Sequence, residues 1–303
     1  MVLSWLIHLS LVLFFSPFIL GVINKTKAFV GGRKGPPLLQ AYYDLSKLFR
    51  KDMVFSRTTT WVFRAGPVVS WVSVFLGSLI VPLGHHPAPV GFSGDMILLA
   101  YLLALGRFFT ASAALDTGSS FEGMGAAREV TFSALAEPAL FFGFVALARV
   151  SDSLSLSQMF AGGFGKAGAS WMVSFILIAV AWFIVLLAEN SRIPFDDPNT
   201  HLELTMIHEV MVLDHSGPAL GMILHGAAMK LFLVGALVLN LVFSWVDVDP
   251  ALDWALFLGE AVLLGMVVGL VESVLARFRL KYVPNFLVAA CLLSAFGVIL
   301  MVR

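Results

Sequence analysis

The chain has 303 residues, of which 59% are hydrophobic and 13% charged, and its net charge is zero. A soluble domain carries roughly 25% charged residues, so repeated apolar runs at half that charge place the chain in a bilayer. The balanced charge gives no field for nucleic acid, and a single cysteine, Cys291, excludes both an internal disulfide and a cysteine-held iron–sulfur cluster.

Eight apolar runs stand out, at about 2–23, 67–83, 95–115, 130–150, 171–189, 219–244, 251–275 and 283–302. Each is near the ~20 residues that cross ~30 Å of hydrocarbon. The expected fold is therefore all-α: one polytopic membrane domain of about eight spans, joined on one side by amphipathic loops. The first run is apolar from Val2, lacks a basic leader and a small-residue cleavage site, and exceeds a signal h-region of ~7–15 residues. It reads as a retained helix.

Three loops on one side are polar. In 24–66, a Gly35-Pro36-Pro37 turn precedes a stretch in which Leu38, Leu45, Leu48 and Phe49 share a face. Pro37 suits a first helical position, so this reads as a helix lying on the membrane surface. The second loop, 118–128, is rich in glycine, and the third covers 189–218. Of 19 Lys and Arg, 15 fall on these loops and the adjoining helix ends, Arg107 among them. The positive-inside rule then puts the loops inside and both termini outside the inner membrane.

Charges at membrane depth carry the functional signal. A charge at a helix centre costs ~2.5–3.5 kcal/mol on insertion scales, so it persists when paired, hydrated or used. Glu137 lies about 10 Å into its run, Lys230 about 16 Å and Glu260 about 14 Å. His225 shares a helix with Lys230, Glu189 and Glu272 sit at inner helix ends, and Glu122 and Glu129 are seven apart on one face. Together these eight residues read as a proton path. The bland alternative is that Lys230 pairs with Glu137 or Glu260 and only holds helices together. Pro138 should disturb the helix at Glu137, and Glu129, about 12 Å away along the axis, would reach Glu137 only through water.

No catalytic or metal centre emerges. His208-Glu209 lacks the second His of a metalloprotease pair, because that position is Val212. His201, His208 and His215 would line one helix face ~10.5 Å apart, too far to share a metal. Gly162-Gly163-Phe164-Gly165 reads as a turn in an outer loop.

The third loop, Ala188-Glu189-Asn190-Ser191-Arg192-Ile193-Pro194-Phe195-Asp196, resembles the Ala-Glu-x-x-Arg-x-Pro-Phe-Asp loop of the NuoH-type membrane subunit of complex I. Gly35 to Gln40, with Asp44, Lys47 to Phe49 and Lys51-Asp52, resembles that family's first inner loop, and Gly123 to Glu137 its middle loop. These stretches cover about a third of the chain, and the eight-span plan extends the likeness to most of it. The run from Asp196 to Glu209 is similar to the corresponding subunit of energy-converting nickel–iron hydrogenases of the formate hydrogenlyase type. Asn199 and His201 stand where complex I often has Glu, while Glu203 is kept. The first loop is also shorter than in the quinone-binding form.

The resemblance implies a non-catalytic membrane anchor with no cofactor of its own. Iron–sulfur clusters and a nickel–iron centre would sit in hydrogenase-like large and small subunits of a soluble arm, and antiporter-like membrane subunits would adjoin the chain. The arm would dock through Arg33, Lys34, Arg128, Arg192, Asp196, Asp197, Glu203, His208 and Glu209, with Arg192 pinning its own loop between Glu189 and Asp196-Asp197. The alternative is the quinone-chamber subunit of an NADH:quinone oxidoreductase. Whether the ion is H⁺ or Na⁺ stays open.

The charge bias generates the first test. In sealed cells, an impermeant maleimide should miss a Ser56→Cys variant and label Ser155→Cys. Labelling at Ser56 would reverse the orientation.

Overall fold

The computed structural model describes residues 2–166, 171–196, 206–243 and 250–302. The described residues form helices and connecting turns. α1 (Val2–Ser10), a π-turn (Leu11–Phe15) and α2 (Ser16–Val30) make one continuous span. α3 (Gln40–Phe49) and α4 (Trp61–Ser78) follow, then α5 (Asp95–Asp116), α6 (Ser120–Ser151), α7 (Leu156–Lys166) and α8 (Met172–Glu189). α9 (His208–Met211), α10 (Gly217–Phe243), α11 (Pro250–Val274), a 3₁₀ turn (Leu280–Tyr282) and α12 (Val283–Val302) complete the order.

Seven of these helical stretches are long and apolar enough to cross a bilayer. The eighth expected span is α4, which begins at Trp61 rather than at residue 67. It is 18 residues long and includes Arg64 and Pro67, which lowers its apolarity. α10 is the hub, lying against α2, α3, α4, α8 and α11. Its Leu231–Leu241 stretch is buried all round, as befits a helix enclosed by other helices.

Four loop expectations change. The glycine-rich 118–128 segment is the first turns of α6, whose 32 residues extend about 48 Å, well beyond the hydrocarbon. Gly162 to Gly165 are helical within α7 rather than an outer turn. α3 starts at Gln40, not Pro37; the Pro37 carbonyl instead accepts from Gln40 N–H in a preceding turn at 3.1 Å. His208 and His215 do not share a helix face, because α9 ends at Met211 and His215 follows in a turn; His201 lies outside the described residues.

Polar knots close both ends of the bundle. At the end holding the chain's start, Asp253 accepts from His85 N–H at 3.1 Å and pairs with the His85 ring at 2.7 Å, while Asn240 ties Pro82 and Gly84 to α10. Asp95 accepts from Ser155 Oγ and Leu156 N–H at 3.0 and 2.7 Å. Ser155 is thereby buried, so the exposed Ser93 replaces it as the probe for that face. At the basic end, Asp116 of α5 caps α4, accepting from Thr60 N–H at 2.6 Å and from Thr60 Oγ1 at 2.9 Å. Val54 N–H donates to Ser216 Oγ at 3.0 Å, and the His215 ring stacks on Phe63 at 4.0 Å. The first and third loops thus form one body.

His215 sits in this knot, and burial pushes its imidazole from 6.5 down to about 4. The folded state favours the neutral ring. Between those pH values the unfolded chain takes a proton that the folded chain refuses, so this contribution is whole above about 6.5 and is lost as pH falls towards 4. His215→Phe keeps a ring on Phe63 without a titrating group. Thermal unfolding of the purified protein should lose less stability in that window for the variant than for the parent; identical pH curves would remove His215 as the cause.

Candidate functional site

Five charged side chains from four helices meet inside the bundle. Arg107 of α5 is the centre. Its Nη2 donates to both carboxylate oxygens of Glu189, at 3.0 and 2.9 Å, and its Nη1 donates to Glu137 Oε1. Its Nε lies 4.0 Å from Glu129. Lys230 of α10 binds the Glu189 carboxylate at 2.8 Å and also donates to the Glu189 backbone carbonyl at 2.7 Å. That carbonyl belongs to the last turn of α8, where no intrahelical donor is left and the helix dipole favours a cation. Lys230 therefore caps α8 and neutralises its last side chain at once.

The pairing differs from the expected one. Lys230 does not meet Glu137 or Glu260; its partner is Glu189. Glu137 pairs with Arg107, which bridges to Glu129 and Glu189, so the gap between Glu129 and Glu137 is filled by a guanidinium rather than by water alone. α6 runs unbroken through Pro138, and Glu137 is ordinary helix. Arg107 is one of the basic residues that set the orientation, yet its side chain is only 11% exposed. Its position well inside an apolar run was the signal that could have placed it in the site.

Charge counting defines what the cluster can do. Glu129, Glu137 and Glu189 face two cations, Arg107 and Lys230. With all five ionised, one negative charge is left over in a low-dielectric place, and one proton cancels it. Glu189 holds two cations and is 4% exposed, whereas Glu137 is 41% exposed at its side chain. A cavity of about 70 Å³ borders the cluster, lined by Arg107, Glu129, Glu189 and Lys230 together with Asn190 and His208. A water needs ~10–15 Å³ on this measure, so several fit. Arg107 Nε and Asn190 Oδ1 are buried without a hydrogen-bond partner among the described residues, and both residues line that space.

The other residues expected on a proton path are dispersed. Glu122, at the start of α6, is buried and accepts from Asp214 N–H at 3.2 Å. Glu260 sits half-buried on α11 towards the Asp253 end, with no ion pair among the described residues. Glu272 is fully buried between Lys27 at 2.8 Å and Arg192 at 3.5 Å. His225 accepts from Trp71 at Nδ1 and meets the Leu13 carbonyl at Nε2.

Several residues assigned to docking turn inward instead. Arg192 reaches Glu272 rather than pinning its own loop against Glu189 and Asp196. Asp196 is buried, pairs with Arg277 at 2.8 Å and accepts from the Ile207 and His208 amides at 3.0 and 3.1 Å. Arg128 donates to the Met206 carbonyl at 2.9 Å, and Glu209 is half-buried on α9. Arg33 and Lys34 stay exposed. Asp197 and Glu203 lie outside the described residues.

The charge count predicts a rescue. Arg107→Gln leaves three carboxylates facing one lysine, and breaking a buried pair costs ~3–5 kcal/mol. The single variant should therefore unfold markedly earlier in detergent. Arg107→Gln with Glu189→Gln restores the original excess of one carboxylate and should recover part of the loss. A double variant no more stable than the single would refute the count.

Comparison with known proteins now adds to this geometry. Formate hydrogenlyase subunit 4 of Escherichia coli (strain K12) is 29% identical over 283 residues, covering 91% of each chain. Hydrogenase-4 component C of the same organism is 31% identical over 227 residues, covering 75% of this chain and 70% of that one. A chain of the membrane-bound sulfane sulfur reductase, an archaeal respiratory membrane complex, shares the fold with a TM-score of 0.82, at 24% identity and 98% coverage of both chains. A model described as NADH dehydrogenase matches residues 3–303, and the chain belongs to that family, the NuoH-type membrane subunits.

Proposed function

We propose that this chain is the membrane anchor and coupling subunit of an energy-converting hydrogenase complex of the formate hydrogenlyase type. The Arg107 cluster carries this reading: three carboxylates share two cations deep in the bundle, beside a cavity large enough for water. Such a site takes up one proton and gives it back. A change at the loops reaches it directly, because Glu189 ends α8 and the next two residues, Asn190 and Ser191, line the same cavity.

In this reading the basic end faces the cytoplasm, with both termini outside the inner membrane. The arm, with hydrogenase-like large and small subunits holding iron–sulfur clusters and a nickel–iron centre, rests on the joined first and third loops. Arg33 and Lys34 meet it, with Asp197 and Glu203 as further candidates. Arg192 and Asp196 act one layer deeper: the Arg192–Glu272 and Asp196–Arg277 pairs hold the loop in shape. Antiporter-like membrane subunits lie alongside, and Glu137, the most exposed member of the cluster, faces outward from the bundle towards them. A charge half-exposed at membrane depth is costly against lipid, which favours a protein neighbour there. The reading is supported by the two relatives, whose names place them in formate hydrogenlyase and hydrogenase-4, and by Asn199 and His201 in place of carboxylates.

The test is to purify the complex through a tag on this chain, identify its partners by mass spectrometry, and assay it in vesicles with methyl viologen reduced by dithionite. Hydrogen evolution with ion uptake is expected. Glu137→Gln should assemble and keep hydrogen evolution while losing most of the ion movement. A bound quinone and no hydrogenase partner would overturn the hydrogenase part of the proposal. Normal ion movement by the Gln variant would remove Glu137 from the path.

A further inference from the structure

One turn of the first span departs from α geometry. In the π-turn Leu11–Phe15, carbonyls are loosened from the usual ladder. Three successive ones accept side-chain donors. Val12 accepts from Ser16 Oγ at 2.7 Å, Leu13 accepts from His225 Nε2 at 2.9 Å, and Phe14 accepts from the Tyr42 hydroxyl. Tyr42 lies on the surface helix α3 and His225 on the central helix α10, so this turn links an exposed element to the hub.

The protonation of His225 follows from its partners. Trp71 Nε1–H can only donate, and it donates to His225 Nδ1 at 2.8 Å. Nδ1 therefore carries no proton, the ring is neutral, and Nε2–H donates to Leu13. Both nitrogens are occupied, leaving no position from which to pass a proton on. The residue expected on a proton path is instead a clamp joining the first span, α4 and α10.

We infer that His225 and Tyr42 are positioning residues that carry displacements of α3 through the π-turn to α10 and so set the contact between Lys230 and Glu189. This rests on the coupling role proposed above. Lys230 is five residues beyond His225, about 7.5 Å along the same helix. The stretch of α10 around Lys230 is enclosed by its neighbours, whereas α3 has no buried residue and lies at the edge of the bundle. Gly221 lies against Leu48 and Phe49 of α3, and Gly226 against Trp71 of α4, so α10 meets both elements closely on either side of His225. A π-turn also has a second arrangement available. Moving it by one residue changes which carbonyls are loosened and so withdraws those that hold His225 and Tyr42, while the flanking helices keep their register.

The experiment uses the whole complex in vesicles, driven by dithionite-reduced methyl viologen, and reads ions moved per electron. Tyr42→Phe removes one hydroxyl at the edge of the protein. His225→Asn keeps an acceptor near Trp71 but does not reach Leu13. Both should assemble, keep electron flow and fall below half the parental ion-to-electron ratio. His225→Gln, whose longer amide reaches the Leu13 carbonyl, should recover most of it. A proton-carrying His225 gives another pattern, with Tyr42→Phe normal and both His225 variants uncoupled; that pattern overturns the inference. Normal coupling in Tyr42→Phe and His225→Asn overturns it too. If His225→Asn does not assemble, Tyr42→Phe alone decides. Glu189→Gln is the separate control: normal coupling there would sink the role of the cluster itself, while its loss beside a normal Tyr42→Phe would sink only the positioning role.

Discussion

Arg107 is one guanidinium shared by three carboxylates, and the bundle is arranged around that constraint. Charges inside an apolar bundle are costly unless paired, so each is held by an opposite charge on another helix. Arg107 reaches from α5 to Glu129 and Glu137 on α6 and to Glu189 at the end of α8. Lys230 comes from α10 to the other side of Glu189. Four helices are thereby fixed in register by polar contacts, which apolar packing in lipid specifies only weakly. The odd carboxylate is what separates this arrangement from a plain structural ion pair. A matched set would be inert, whereas an unmatched one has a reason to bind and release a proton.

The two ends of the molecule have different characters. At the Asp253 end, short turns are tied by Asp95, Asn240 and Asp253 to the helices they join. At the basic end, the described parts of the long loops are folded into a second layer. The Lys27–Glu272–Arg192 and Asp196–Arg277 contacts hold its inner side, and the Ser216–Val54 and His215–Phe63 contacts tie the first loop to the third. Acidic and basic side chains on these loops are therefore of two kinds. Exposed ones such as Arg33 and Lys34 are available to a partner, while buried ones such as Asp196 and Arg192 shape the surface that a partner would meet. That layer adjoins the cluster at Asn190 and Ser191, which line the same cavity.

Much of the architecture was legible in the sequence because hydropathy is a local property. Twenty apolar residues in a row announce a span whatever lies beside them, and the runs at 95–115, 171–189, 219–244, 251–275 and 283–302 are observed as α5, α8, α10, α11 and α12 within a few residues. The loop motif around Glu189 to Asp196 was equally local, and it pointed to the family correctly. Local signals failed where polarity and helix coexist. The glycine-rich start of α6 is helical where Gly125 packs against Ile207, Val210 and Met211, and Gly162 to Gly165 continue α7; composition reports neither.

What the sequence by itself determined was therefore the membrane fold, the family and the set of charges too costly to be accidental. Only the tertiary structure decided which of them meet. Residues 107, 129, 137, 189 and 230 are spread over more than a hundred positions, and which long side chain reaches which depends on helix rotation and crossing, not on distance along the chain. For the same reason the sequence put His225 beside Lys230 on one helix, and only the structure shows Trp71 and Leu13, remote in the chain, at its two nitrogens.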